Sequence, residues 1–306
     1  MRDLQLTHTV VMVSPNHFGF NPQTAESNVF QNHVTGSEEE IQAKAQAEFK
    51  EAVSKIEKCG ITVLVLKSRE DYITPDSIFP NNWFSHHSDG ELVIYPMLAP
   101  NRRAERQAEK LKNLLEASGK SVSKIIDLSN DEGQACFLEG TGSLVLDRED
   151  KIAYAMESPR TVKAEFDKWC QIMGYKGVLF HAYDSKGFSI YHTNVTMSIG
   201  KEYAVICLDS IKDPIEREVV KDSLIMSGKE IIELSIDQIY KYCGNTLQLL
   251  SERGSSKIVM SKTAYDGFKL SQLEKLKKYG EIITVEIPEI ETVGGGSARC
   301  MLAEVF

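Results

Sequence analysis

Nowhere in this 306-residue chain does an apolar run approach the roughly 20 residues that a bilayer-spanning helix needs. The N-terminus, MRDLQLTHTVVMVSPN, has a short apolar stretch with no small-residue cleavage site behind it, so it reads as a strand and not as a signal peptide. A basic excess is lacking too: 35 Lys and Arg stand against 44 Asp and Glu, a net charge of −9 with both signs interspersed. Nucleic acid and anionic membranes both demand a basic face, and neither is expected as a partner. The six cysteines (Cys59, Cys136, Cys170, Cys207, Cys243, Cys300) form no CxxC pair and show no metal spacing. Buried, reduced thiols in a cytoplasmic protein are the expectation for all but Cys300. His86 and His87 are adjacent, without HxH or HExxH spacing, and on a strand would face opposite sides, so no metal site is expected. GTGS after Glu139 is too short for a phosphate loop. No metal or organic cofactor is implied.

What is present is the composition of a globular protein, 42% hydrophobic and 26% charged. Strand and helix patterns alternate along it. SEEEIQAKAQAEFKEAVSKIEKCG opens with a capping box, Ser37 with Glu40, repeats Ile41, Phe49, Val53 and Ile56 at helical spacing, and stops at Gly60. The strand ITVLVLK follows. IFPNNWFS, ELVIYPM, a helix over about 102–118 and SKIIDL then give the order strand, strand, helix, strand. The same order recurs in FLEGTGSLVLD, KIAYAM, a helix near 159–173 and GVLFHAY. It recurs again in YHTNVTMSIG, YAVICLD, 214–226 and EIIELS, and in LQLLSE, KIVMSK, 263–278 and IITVEI. The C-terminal strand SARCMLAEV, joined to the N-terminal strand, helix and strand, completes a fifth unit. A period of roughly 50 to 60 residues, closed by the two chain ends, predicts a ring of repeats in one domain over 1–306. Closure removes exposed sheet edges.

In this register Asn82, Glu139, His192, Asn245 and Cys300 fall in or just before the first strand of successive units, separated by 57, 53, 53 and 55 residues. First strands around a common axis would bring these five polar side chains to one cavity. A thiol, an imidazole and a carboxylate together form a kit for nucleophilic catalysis, with Cys300 attacking, His192 carrying protons and Glu139 orienting or accepting protons. N–H groups of the GGGSAR turn are expected to stabilise the thiolate or an oxyanion. Arg102, Arg103 and Arg106 read as a solvated helix face. Arg160, in ESPRT, has the fork that matches a carboxylate.

The set PDSIFPNNW, FLEGTG, SPRT, YHTNV and GGGSARC resembles the guanidine-modifying, or pentein, superfamily, over essentially the whole chain and in the family's order. Its members include arginine deiminases, dimethylarginine dimethylaminohydrolases and amidinotransferases. FGFNPQTA and the short GGGSARC end are most similar to the citrulline-utilisation hydrolase branch. The resemblance implies an α/β fold, a fivefold pseudo-symmetric propeller of ββαβ units closed by pairing the N- and C-terminal segments. It implies Cys300 as nucleophile, His192 as general acid and base, Glu139 as the carboxylate of the Glu-Gly motif, Arg160 on the substrate α-carboxylate, and residues 21–24 in a loop over the pocket.

Deiminases place aspartates where this chain has Asn82 and Asn194. Two amides do not offset the desolvation of a buried cation, whereas they suit a neutral ureido group. The expected activity is therefore hydrolysis of the ureido C–N bond of L-citrulline, to ornithine, ammonia and carbon dioxide. Asn82 (or Asn81), Asn194, Asn245 and Arg160 would bind substrate, with Asp76 as a substitute acid. An arginine or methylarginine deiminase is the alternative, followed by an amidinotransferase, and by a non-catalytic pentein as an alternative of another class. The partners expected are a small amino-acid substrate and, at most, a second copy in a homodimer.

Overall fold

The computed structural model describes residues 3–306. Strand β1 (Thr9–Val13) is followed by a short helix α1 (Pro22–Ala25), the long helix α2 (Glu38–Lys58) and β2 (Thr62–Leu66). The next unit is β3 (Phe84–His86), β4 (Glu91–Ile94), α3 (Pro100–Arg103), α4 (Ala108–Ala117) and β5 (Lys124–Asp127). Then come α5 (Gly140–Ser143), β6 (Leu144–Asp147), β7 (Ile152–Met156), α6 (Lys163–Met173) and β8 (Lys176–Phe180). The fourth stretch is β9 (Met197–Ile199), β10 (Tyr203–Ile206), α7 (Pro214–Met226) and β11 (Glu230–Glu233). The chain ends with α8 (Ile236–Ile239), β12 (Leu247–Leu250), β13 (Ser256–Ser261), α9 (Lys262–Gly267), α10 (Leu270–Tyr279), β14 (Glu281–Val285) and β15 (Ala303–Val305).

These strands make five three-stranded sheets. In each, one strand pairs antiparallel with the next, which pairs parallel with a third across a helix. The fifth sheet draws on both chain ends: β1 pairs antiparallel with β15, Thr9 opposite Val305, and parallel with β2. This is the ββαβ order read from the sequence, with the C-terminal strand as the first strand of its unit.

Local chemistry explains the elements. Helix α2 begins where Ser37 Oγ accepts from Glu40 N–H and the Glu40 carboxylate accepts from Ser37 N–H. Its apolar face is Ala45, Phe49, Ala52 and Ile56, at helical spacing and buried. Burial of Phe49 and Ile56 contributes about 1.5–3 kcal/mol each. Helix α7 is capped by Asp213, whose Oδ1 accepts from Ile215 and Glu216 N–H. The core runs across neighbouring units; its largest cluster among the described residues gathers Tyr154, Phe180, Val205, Leu224 and Met260 from three of them.

Several boundaries differ from the sequence reading. The helix expected over 263–278 breaks into α9 and α10 around Phe268 and Lys269, and that over 102–118 breaks into α3 and α4. The helix expected from 159 starts at Lys163. SARCMLAEV and FLEGTGSLVLD are strands only in their second halves: Ala298–Met301 is a 3-10 turn and Gly140–Ser143 a single helical turn. Among the described residues no helix is long and apolar enough to cross a membrane.

Candidate active site

The turns that precede the first strands carry the candidate residues. Asn82 ends the 3-10 turn Pro80–Asn82 before β3, and Glu139 caps α5 before β6. His192 precedes the 3-10 turn Thr193–Val195 before β9, Asn245 lies two residues before β12, and Cys300 sits in the turn before β15. Asp76, Asn82, Arg102, Arg160, His192 and Cys300 line one small cavity with Gly294, Gly295 and Gly296.

Glu139 is fully buried, and its Oε2 accepts from His192 Nε2 at 2.9 Å and from Arg160 Nη1 at 3.5 Å. Its other oxygen accepts from Leu98 N–H at 3.0 Å. Burial pushes this carboxyl up, but the Arg160 guanidinium, the His192 hydrogen bond and Arg102 together hold it down at about 2. The group is an anion at neutral pH. Burial lowers His192 to about 4 in spite of Glu139, so its imidazole is neutral. A carboxylate only accepts, which puts the ring proton on Nε2 and leaves Nδ1 a lone-pair acceptor. Gly142 lies under this ring: a Cβ there would come 2.8 Å from His192 Nδ1 and 2.3 Å from Asn82 Nδ2.

The Cys300 thiol is buried and receives two amide donors, Asn245 Nδ2 at 3.2 Å and Asn194 Nδ2 at 3.5 Å. Asn245 was expected on substrate. It is instead outside the cavity lining, with its Oδ1 on Arg299 N–H at 3.0 Å, and its contact is with the sulfur. Asn194 also lies behind the sulfur, and its Oδ1 is buried without a partner. Of Asn81 and Asn82, the second lines the cavity.

Arg102 corrects the sequence reading. It is buried rather than solvated, donating from Nη1 to Asn82 Oδ1 at 2.6 Å and from Nη2 to the carbonyls of Asp76 and Phe79. Glu105, also buried, takes its Nε and Nη2, both at 2.9 Å. Tertiary contacts drew this side chain inward; its one sequence signal was the Arg102–Glu105 spacing of three. Arg103 and Arg106 meet Glu132.

Asp76 Oδ2 accepts from Asn21 Nδ2 at 2.7 Å and Thr24 Oγ1 at 2.9 Å and lies 3.9 Å from Arg102 Nε, while Oδ1 is buried with no hydrogen-bond partner among the described residues. Asn21 and Thr24 belong to the segment 21–32, which covers the cavity. Arg160 is held by it: Nε and Nη2 donate to Ser27 Oγ at 3.0 and 2.7 Å, and Nη2 to Thr24 O at 3.0 Å. Asn28 and Gln31 donate to the carbonyl of Gly294, and Tyr191 OH to that of Gly295. Gly295 has φ +65°, and a Cβ on it would meet Asn28 Nδ2 at 2.7 Å. The N–H groups of Gly295 and Cys300 bond to Glu291 O and Ser297 O, so the turn serves the covering segment as acceptor rather than offering those two N–H groups to an oxyanion.

His86 and His87 are wired into the core, His86 to Ser121 O and His87 to Ser85 Oγ. Tyr95 joins Ser85 and Trp169 there and is not part of the cavity lining.

Five ββαβ-like units fit the fold of the guanidine-modifying superfamily, and the family match makes the chain one of its cysteine-dependent hydrolases. Residues 14–306 match the family described as N,N-dimethylarginine dimethylhydrolase, eukaryotic, and the chain belongs to that family. Solved structures agree in fold. The N-terminal domain of ArgZ, an arginine dihydrolase from the ornithine–ammonia cycle in Cyanobacteria, bound to substrate, superposes with TM-score 0.72 at 17% identity over 97% of each chain. AgrE in complex with L-arginine gives 0.71 at 16% identity, over 97% of this chain and 40% of that one. A dimethylarginine dimethylaminohydrolase adduct with S-methyl-L-thiocitrulline gives 0.66 at 14% identity over 97% and 99%. No curated protein sequence matches the chain.

Proposed function

We propose that the chain, as one catalytic domain over 1–306 whose five units close through the β1–β15 pairing, hydrolyses the guanidino carbon of an arginine-type amino acid. The observation that carries this reading is Asp76, a carboxylate with a free Oδ1 in the cavity that also holds Cys300 and His192. The amides at Asn82 and Asn194 argued for a neutral ureido group, with Asp76 only as a substitute acid. Asp76 supplies a carboxylate, and a guanidinium N–H has an acceptor there. The family and the arginine complexes of its structural neighbours favour the same substrate class over citrulline as the first substrate.

The chemistry follows from the site. Cys300 gives its proton to His192 Nδ1, and the thiolate attacks the guanidino carbon. The proton passes to the departing nitrogen, which leaves as ammonia, or as a methylamine from a methylated substrate. Water then loses a proton to His192 and attacks the S-bound carbon, which releases a ureido product and the thiol. Glu139 orients the imidazole and stabilises it when charged. Asp76 Oδ1 accepts from a substrate N–H, Asn82 lines the cavity beside it, and Arg160 takes the α-carboxylate once Ser27 and Thr24 release it.

Hydrolysis of the ureido group itself is the second reading, favoured by the two amides. It would carry a citrulline intermediate on to ornithine, ammonia and carbon dioxide. Incubation with arginine, methylated arginines and citrulline, followed by amino-acid analysis, tests both. Consumption of a guanidino substrate with an adduct on Cys300 is expected; turnover of citrulline alone would restore the ureido reading as the primary one.

A further inference from the structure

We propose that Asn245 is a positioning residue for the Cys300 sulfur, holding Sγ through Nδ2 while the Arg299 backbone holds Asn245 itself. This rests on the reading of Cys300 as nucleophile and adds a residue to that machinery. The amide orientation is determined by its neighbours. Arg299 N–H, 3.0 Å away, can only donate, so Oδ1 faces it. The carbonyl of Asn194, 3.1 Å from Nδ2, can only accept. One Nδ2 hydrogen goes to that carbonyl, and the other is left for Sγ at 3.2 Å. A flipped amide would set two donors and two acceptors against each other. The side chain is therefore locked as an N–H donor to sulfur.

The backbone around Asn245 is shaped for this placement. Tyr242 has φ +57°, a left-handed conformation unusual for a bulky residue, and its OH is tied to Glu291 O at 3.0 Å. Gly244 packs so closely on the turn after His192 that a Cβ would lie 2.4 Å from Val195 O. Asn245 thus rides on the same turn that carries His192 and Asn194. The reason such a donor matters is electrostatic. A thiolate in a nearly buried site loses its hydration, and an N–H aimed at it favours the anion over the thiol. Asn194, likewise outside the cavity lining, supplies a second and longer donor at 3.5 Å, whereas the Asn245 amide at 3.2 Å is held at both ends by backbone groups.

The test is the reactivity of Cys300 without substrate, so it is independent of which amino acid the enzyme turns over. Iodoacetamide alkylation of Cys300, mapped by peptide mass, is followed against pH in the wild type, Asn245→Leu and Asn245→Asp. Loss of the donor is expected to slow alkylation at neutral pH about tenfold. The Asn245→Asp variant keeps the shape, adds a repelling charge and should slow alkylation further, which covers the case in which the leucine variant fails to fold. In steady state kcat should fall with KM little changed. An unmoved alkylation profile in a folded variant overturns the proposal, and so does a rise in KM alone, which would mark Asn245 as a substrate ligand. An unmoved profile with guanidino turnover intact would leave the functional reading standing; normal profile shifts without guanidino turnover would sink that reading and keep this one.

Discussion

Glu139 Oε2 sits 2.9 Å from His192 Nε2, with the Arg160 guanidinium on the same oxygen at 3.5 Å. One buried anion thus fixes the imidazole tautomer and balances a buried cation. Glu139→Gln keeps the shape and removes the charge. The amide can still hydrogen-bond the ring, but it no longer stabilises the imidazolium that forms during proton transfer. We expect kcat to fall by about 10²–10⁴, the usual worth of positioned acid–base groups. Thermal stability should fall too, since Arg160 loses its nearest anion. Kinetics and melting on one preparation check both.

The same pair sets a pH dependence. Folding holds His192 at about 4 against an ordinary 6.5, so between these values the unfolded chain binds the extra proton. Stability therefore declines as pH falls through that window. Glu139, held at about 2 against 4.5, extends the decline further into acid. Denaturant unfolding of wild type and His192→Asn from pH 7 down to pH 4 should give a shallower slope in the variant. Equal slopes would mean that His192 does not titrate with unfolding.

Arg102 couples stability to the site. It donates to Glu105 at 2.9 Å from two nitrogens and to Asn82 at 2.6 Å. Burial raises the Glu105 carboxyl to about 7 even beside this cation. Arg102→Met strands that carboxyl and frees Asn82, and the expected cost is about 3–5 kcal/mol of folding stability. Adding Glu105→Leu should recover most of the stability and none of the activity, because Asn82 still lacks its donor. Recovery of both by the double variant would show Arg102 to be structural only.

Much of the fold was legible because local rules and global arrangement agree. The Ser37–Glu40 box, the α2 face and the β-branched strands each point to one element, and their repetition exposes the five units. The site was legible only as a register. Cys300 and Glu139 lie in tight helical turns that periodicity cannot detect, since a single turn has no second period. Arg102 reads as surface because its partners come from residues 76, 79 and 82, some 20 positions upstream. Asn245 was placed in the right neighbourhood with the wrong partner: spacing brought it to the axis, and only the Arg299 N–H shows which way its amide points.

Access to the thiol depends on the covering segment. The cavity beside Cys300 holds about 20 Å³, room for roughly one water and not for an amino acid. On the proposed reading, substrate enters this cavity when 21–32 moves. Phe30 anchors that segment, its ring 5.6 Å from both Tyr240 and Tyr242 and 6.3 Å from Tyr191. Aromatic contacts of this kind are worth about 0.5–1.5 kcal/mol beyond area burial. Phe30→Ala should loosen the segment, release Arg160 from Ser27 and Asp76 from Thr24, and leave the sheets intact. Hydrogen exchange is expected to speed up over 21–32 and stay unchanged in β10. KM should rise several-fold, because a looser cover closes less firmly over bound substrate. Phe30 is buried in the same core as Val205 of β10, and a global loss of protection reaching β10 would show that it supports that core as a whole and not the segment alone.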